Sequence, residues 1–241
     1  MQSEQSRRVK MRRYSKILAH IPHSSIQNYS YGWISCAYMF EDVKYKTDWH
    51  TDVLFRSHNS NVDVMIFPYS RFYVDVERLE NDPLEAEGQG KIYKRYNDFR
   101  RDLLTEEDIK MLNGIYSDWR SKCNERIVDN TLVIDCHSFS NDLAPDVDVC
   151  IGYNDDESKP DDEVIDFIAD EFSSLGYGRI AFNKPYSNSI TFSHPHHSVM
   201  IELNKSIYMD EETLIMKPYC YRVASAINGI YDRLTGLGTL Y

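Results

Sequence analysis

A chain of 241 residues with 42% hydrophobic and 27% charged side chains can bury a core of its own without disulfide or metal staples, and has the balance of a globular protein. Its formal net charge of −11 disfavours nucleic acid or an anionic membrane as partner, since either would need a local basic face. An anionic small molecule stays compatible if arginines gather at one site.

The cysteines Cys36, Cys123, Cys136, Cys150 and Cys220 are odd in number, scattered, and never spaced as CxxC. Neither a structural zinc site nor a disulfide framework is expected, and a reducing cytoplasm fits best. Met1 to Arg13 is polar and basic, with no apolar segment behind it long enough for a signal peptide or a membrane span. A flexible tail is expected there.

Ile17 to Ile21 reads as a first buried strand, ended by Pro22 and followed by His23. The aromatic, irregular stretch to about Tyr45 reads as a packed loop. Thr47 reads as an N-cap, and Asp48 to His58 as a helix with Trp49, Val53, Leu54 and Phe55 on its buried face. Val62 to Phe67 is a second strand, and Phe72 to Val76 a short strand or extended segment. Leu79 to Ile92 is rich in turn residues and long enough to be a functional loop.

Thr105 caps a long helix whose first turn is acidic and whose apolar positions Ile109, Leu112, Ile115, Tyr116 and Trp119 follow helical spacing. Leu132 to Ile134 is an unalternated aliphatic run, as in a strand buried on both faces, and it stops at Asp135-Cys136-His137-Ser138. Open α/β sheets place ligands at the carboxyl ends of such strands. Val147 to Ile151, Arg179 to Phe182 and Val199 to Leu203 are further strands; Asp161 to Leu175 and Glu211 to Leu234 are helices. Strands alternating with helices predict one three-layer α/β/α domain with a mixed, mostly parallel sheet.

Two histidines, His23 and His137, each follow a predicted strand. Two imidazoles with a carboxylate are the usual ligand set of a catalytic zinc, or another divalent ion, with a position left open for water. Asp48 and Asp52, four apart on one predicted helix face, are the carboxylate candidates, and Asp48 could equally serve only the helix dipole. Asp135 shares strand parity with His137 and could instead orient it. Glu202 interrupts an apolar strand; it is either a working carboxylate, placed as a general base, or a solvent-facing edge residue. Arg71 and Arg78 could capture an anion bidentately or be ordinary salt-bridge partners. His194, His196 and His197 match no zinc spacing, and at least one of them is expected only to line the pocket.

The pieces Ile21-Pro22-His23-Ser24, DWHTDVL over Asp48 to Leu54, SRFYVDVER over Ser70 to Arg78, Asp135-Cys136-His137-Ser138, Asn183-Lys184-Pro185-Tyr186 and Ile201-Glu202-Leu203-Asn204 occur in this order. In series they resemble the N-formylglutamate amidohydrolase family, related in fold to zinc carboxypeptidases. The resemblance implies metal ligation by His23 and His137, a base role for Glu202, and substrate contacts from Arg71 and Arg78; His197 and Asn183 are further candidates for substrate contact. In the carboxypeptidase pattern a Glu follows the first His by three positions. Here that position is Ile26, so the third ligand moves to Asp48, with Asp52 in reserve.

The implied substrate is a small anionic N-acyl amino acid, with N-formyl-L-glutamate, cleaved to formate and glutamate, as the leading case. A carboxypeptidase-like enzyme acting on peptides or cell-wall fragments and a catalytically silent binding protein are the alternatives. This chain departs from the family in two places: Ser187-Asn188-Ser189 replaces a small-residue run, and Glu77-Arg78 replaces an Asn-Arg pair.

Overall fold

Six strands form one sheet in the computed structural model, which describes residues 11–27, 40–97, 99–101, 103–187 and 190–237. In chain order the elements are β1 (Lys16–Ile21), α1 (Phe40–Lys46), α2 (Thr51–Leu54), β2 (Val62–Ile66), the short pair β3 (Arg95–Tyr96) and β4 (Phe99–Arg100), and α3 (Glu106–Asn124). They continue with β5 (Thr131–Phe139), β6 (Val149–Gly152), α4 (Asp162–Ser174), β7 (Ile180–Phe182), β8 (His197–Asn204) and α5 (Tyr221–Thr235). The sheet order is β2-β1-β5-β8-β6-β7, and only the β6–β8 pairing is antiparallel.

Strand period decides which side chains meet which helices. Ile17, Ala19 and Ile21 of β1, Leu132, Ile134 and Cys136 of β5, and Val199, Ile201 and Leu203 of β8 share one core with residues of α4 and α5. Leu18 and Val133 point the other way, onto Leu112, Trp119 and Cys123 of α3. Each wholly buried aliphatic side chain contributes about 1.5–3 kcal/mol, so covering both sheet faces is what makes continuous apolar strands stable. The three-layer arrangement expected from the alternation of elements is the one that forms.

The cap of α3 follows the sequence closely. The Thr105 side chain accepts from the Asp108 backbone N–H while the Asp108 side chain accepts from the Thr105 N–H, a reciprocal capping box. Other local readings give way to tertiary contacts. The helix expected over Asp48 to His58 is only Thr51–Leu54, with His50 in a left-handed conformation at φ 66° ahead of it. Thr47 does not cap it: its N–H closes the end of α1 on Val43 O, and the Asp48 N–H donates to His23 O. Part of the stretch expected as a loop is the helix α1; Tyr29, Tyr31, Trp33 and Tyr38 lie outside the described residues, as do Met1 to Lys10 of the expected tail.

Phe72 to Val76 is not a strand. The Tyr73 and Val74 amides both donate to Ser70 O, a turn that buries Phe72, Tyr73, Val74 and Val76. The last helix begins at Tyr221 instead of Glu211, because the preceding segment turns back through a Met209–Met216 bridge and Pro218. The difference that matters most for the polar cluster is in β5, which does not stop at Ile134. It runs to Phe139 with all nine residues buried, held by β8 in register from Leu132 opposite His197 to Phe139 opposite Asn204.

Candidate metal and catalytic centre

The sheet face toward α3 carries apolar residues near the start of its strands and polar ones near their ends. His20, Asp135, His137 and Glu202 all fall on this face by strand parity, with His20 opposite Asp135 and His137 opposite Glu202. The Trp119 indole N–H of α3 donates to His20 Nε2 at 3.0 Å. His20 Nδ1 therefore donates to Asp135 Oδ1, at 2.8 Å, and this buried chain fixes the Asp135 carboxylate beneath the site.

His23, two residues beyond β1, is buried beside His137, with ring centroids 5.1 Å apart. Its Nε2 donates to Asp75 Oδ1 at 2.8 Å, leaving Nδ1 without a hydrogen-bond partner. Asp75, fully buried, also meets Arg71 Nη2 at 3.1 Å and Arg78 Nε at 3.6 Å. Burial opposes ionisation of Asp75, but the Arg71, His23 and Arg78 charges outweigh it and hold its carboxyl well below the usual range.

On the other ring, His137 Nδ1 is 3.0 Å from Asp48 Oδ2 and hydrogen-bonded to it. The His137 Nε2 atom lacks a hydrogen bond, although Glu77 Oε1 lies 2.9 Å and Asp135 Oδ1 3.2 Å away. Glu77 Oε2 reaches to 3.6 Å from His23 Nδ1. One donor atom from each of His23, Glu77 and His137 falls within 4.8 Å of the others, the group among the described residues suited to an ion. Each imidazole thus has one nitrogen held by a carboxylate, Asp75 or Asp48, and one nitrogen free, which is how metal-binding histidines are oriented. The surplus of carboxylates around them also fits a divalent cation.

Asp48, expected as a metal ligand, sits 3.7 Å from His23 Nδ1 as well, but its hydrogen bond is to the His137 nitrogen turned away from Glu77. Burial would lower the His137 imidazole, yet Glu77, Asp135 and Asp48 together hold it well above the ordinary histidine range. Asp52 takes no part in this cluster; it lies in α2, and its backbone carbonyl accepts from Arg56.

A cavity of about 420 Å³ opens over these groups, lined among others by Lys46, Asp48, Arg71, Glu77, Arg78, His137, Tyr186 and Glu202. Leu79, Asp82 and Leu84 from the turn-rich loop form part of its wall. Glu202 is buried and its Oε2 has no hydrogen-bond partner. Burial raises its carboxyl to about 8, with His137 opposing and Asp48, Glu77 and Asp135 adding to the rise. A carboxyl raised in the folded state holds its proton more tightly than in the unfolded chain. Its contribution to stability is therefore complete below about 4.5 and is lost as pH climbs toward about 8. In chelator-treated protein, the Glu202→Gln variant should gain on wild type by roughly 1.4 kcal/mol per pH unit across that window, read from denaturant melts. A stability difference independent of pH would show that Glu202 titrates normally.

Two expected substrate residues are placed elsewhere. His197 begins β8, an odd five positions from Glu202, so it faces the opposite side of the sheet and lies roughly 16 Å along the strand. Its Nδ1 meets the Tyr14 hydroxyl at 2.7 Å. Asn183 adopts φ 55°, and its side chain accepts from the Tyr153 N–H at 2.8 Å, in a separate cleft. Asp75 and the inward role of Glu77 are not apparent from the sequence. The one local signal is the alternation Val74-Asp75-Val76-Glu77, which puts two acids beside two buried valines.

The model of the N-formylglutamate amidohydrolase family matches residues 15–209. The chain belongs to the N-formylglutamate amidohydrolase family. The match spans every strand of the main sheet and each residue of the candidate centre. Among solved structures, the fold is similar to the N-formylglutamate amidohydrolase from Ralstonia eutropha JMP134, with a TM-score of 0.76 and 18% identity over 94% of each chain. It is also similar to a gene product of Agrobacterium tumefaciens, with a TM-score of 0.60 and 15% identity, covering 93% of this chain and 88% of that one. No curated protein matches the sequence. Among the described residues, no helix is long and apolar enough to cross a membrane.

Proposed function

We propose that this family member is a metal-dependent amidohydrolase that cleaves the acyl C–N bond of a small anionic N-acyl amino acid, with N-formyl-L-glutamate the leading case. The observation that carries the reading is the pair of imidazole nitrogens without hydrogen bonds, His23 Nδ1 and His137 Nε2, gathered with Glu77 in one cavity with Glu202, whose Oε2 also lacks a hydrogen bond. The donor chemistry, two imidazoles and a carboxylate, suits zinc and is shared by other divalent ions.

In this reading His23, His137 and Glu77 hold the ion, while Asp75 and Asp48 orient the two rings. This replaces Asp48 by Glu77 as the carboxylate ligand, because Asp48 is spent on the outer nitrogen of His137. A bound divalent ion supplies Lewis acidity toward the acyl oxygen and acidifies water. With a divalent charge nearby offsetting the burial that raises its carboxyl, Glu202 would take a proton from the attacking water and pass it to the departing nitrogen. Arg71 and Arg78 bind the substrate carboxylates, and Arg71, clamped by Asp75 and by Lys46 O at 3.3 Å, also faces the developing oxyanion.

The test is formate release from N-formyl-L-glutamate by protein purified without chelator, followed by chelation and readdition of zinc. Activity should vanish on chelation and return with the metal. Metal-free protein as purified, with no formate formed after zinc addition, would favour a silent binding protein, and release of C-terminal residues from peptides would favour the carboxypeptidase-like alternative.

A further inference from the structure

The cavity has two chemically different walls. Sheet order puts the segment that follows β2, carrying Arg71 and Arg78, on one side of His137, and Lys46 at the end of α1 joins it through its carbonyl, which accepts from Arg71 Nη1. Strand β8 and the segment that follows β7, carrying Met200, Pro185 and Tyr186, lie on the other side; Phe139, on β5 beyond His137, packs against Met200, and Leu143 follows in the connection to β6. This second wall presents an apolar strip of Phe139, Leu143, Tyr186 and Met200 between the polar Ser138, Ser140, Ser187 and Glu202. Phe139 and Met200 are buried together as its floor, while Leu143 and Tyr186 are 44% and 46% exposed at its rim. Exposing two large apolar side chains at the mouth of a cavity costs free energy that a ligand could recover.

In an N-acyl amino acid the carboxylates hang on the nitrogen side of the scissile bond and the acyl chain on the carbonyl side. Resting on the proposed amidohydrolase function, the carboxylates go to the cationic wall, and the acyl group is then directed at Phe139, Leu143, Tyr186 and Met200. A formyl group offers only hydrogen there, and leaves that wall without a partner. We propose that this wall is an acyl subsite for an apolar chain of several carbons, which makes the substrate class N-acyl amino acids with short to medium acyl groups. The reaction balance is unchanged: water oxygen bonds to the acyl carbon and the C–N bond breaks. The electron pair stays on nitrogen, which takes the proton, and the free fatty acid of the same length leaves.

The experiment compares kcat/KM for N-formyl-, N-acetyl-, N-butyryl- and N-hexanoyl-L-glutamate with zinc-loaded protein. Each methylene buried against the wall should raise kcat/KM about fourfold, the equivalent of about 0.8 kcal/mol. Leu143→Asn, at an exposed position, should cut the hexanoyl-to-formyl ratio at least about tenfold, and Tyr186→Ser should do the same independently. Values that fall from formyl to butyryl while formate is still released would overturn the acyl subsite and leave the proposed function standing. Chain-length dependence unaltered in both variants would also overturn it, and no hydrolysis of any member would remove both readings.

Discussion

On the proposed reading, the Glu202→Gln protein should keep its metal and lose turnover. The amide is close to isosteric with the carboxyl, and Glu202 is not among the groups that could hold the ion, so metal content should match wild type. What the variant lacks is a carboxyl group that lines the cavity, stands in register with His137 and has an oxygen without a hydrogen bond, the group proposed to accept the proton. Positioned proton transfer contributes about 10²–10⁴-fold, so kcat/KM should fall by that factor, or roughly 3–5 kcal/mol of transition-state stabilisation. Metal analysis and formate release on the same preparation check both halves. Wild-type turnover in the Gln variant would remove Glu202 from the chemistry, and parallel loss of metal and turnover would reassign it to the ion.

Glu77→Gln and Asp48→Asn separate a ligand from an orienting group. Loss of an orienting carboxylate typically weakens metal affinity by about 10–100-fold, and removal of a ligand should exceed that. Glu77→Gln should therefore lose more than about 100-fold in zinc affinity, and Asp48→Asn about 10–100-fold, measured by competition with a chelating dye. The reverse order would return the ligand role to Asp48, whose Oδ2 is near the Nδ1 atoms of both rings. An unchanged affinity in both variants would mean that neither carboxylate serves the ion. Because Asp48 is buried, its variant needs a melting curve beside the titration.

Much of the architecture is legible in short runs of residues. Leu132-Val133-Ile134 and Val199-Met200-Ile201 announce strands buried on both faces, and the Thr105–Asp108 box announces α3. These readings succeed because burial of an unbroken apolar run and a reciprocal cap are local properties. The region from Asp48 to Val76 is poorly legible for the opposite reason. There the backbone is shaped by distant partners: the Asp48 amide is held by His23 O, and Asp75 by an imidazole and two guanidinium groups. Local propensity carries no trace of those contacts.

The amino-acid sequence by itself determined the α/β class and brought forward His23, His137 and Glu202, since an imidazole or carboxylate at the end of an apolar strand is anomalous wherever the strand sits. Only the tertiary structure decided which carboxylate faces which nitrogen, turned Glu77 inward, and sent His197 and Asn183 to other surfaces. All these acids are chemically interchangeable along the chain. What distinguishes them is the direction of their oxygens over a few ångströms, and that is set by how β1, β5 and β8 are laid side by side and by the contacts that fold the segments carrying Asp48, Asp75 and Glu77 against them.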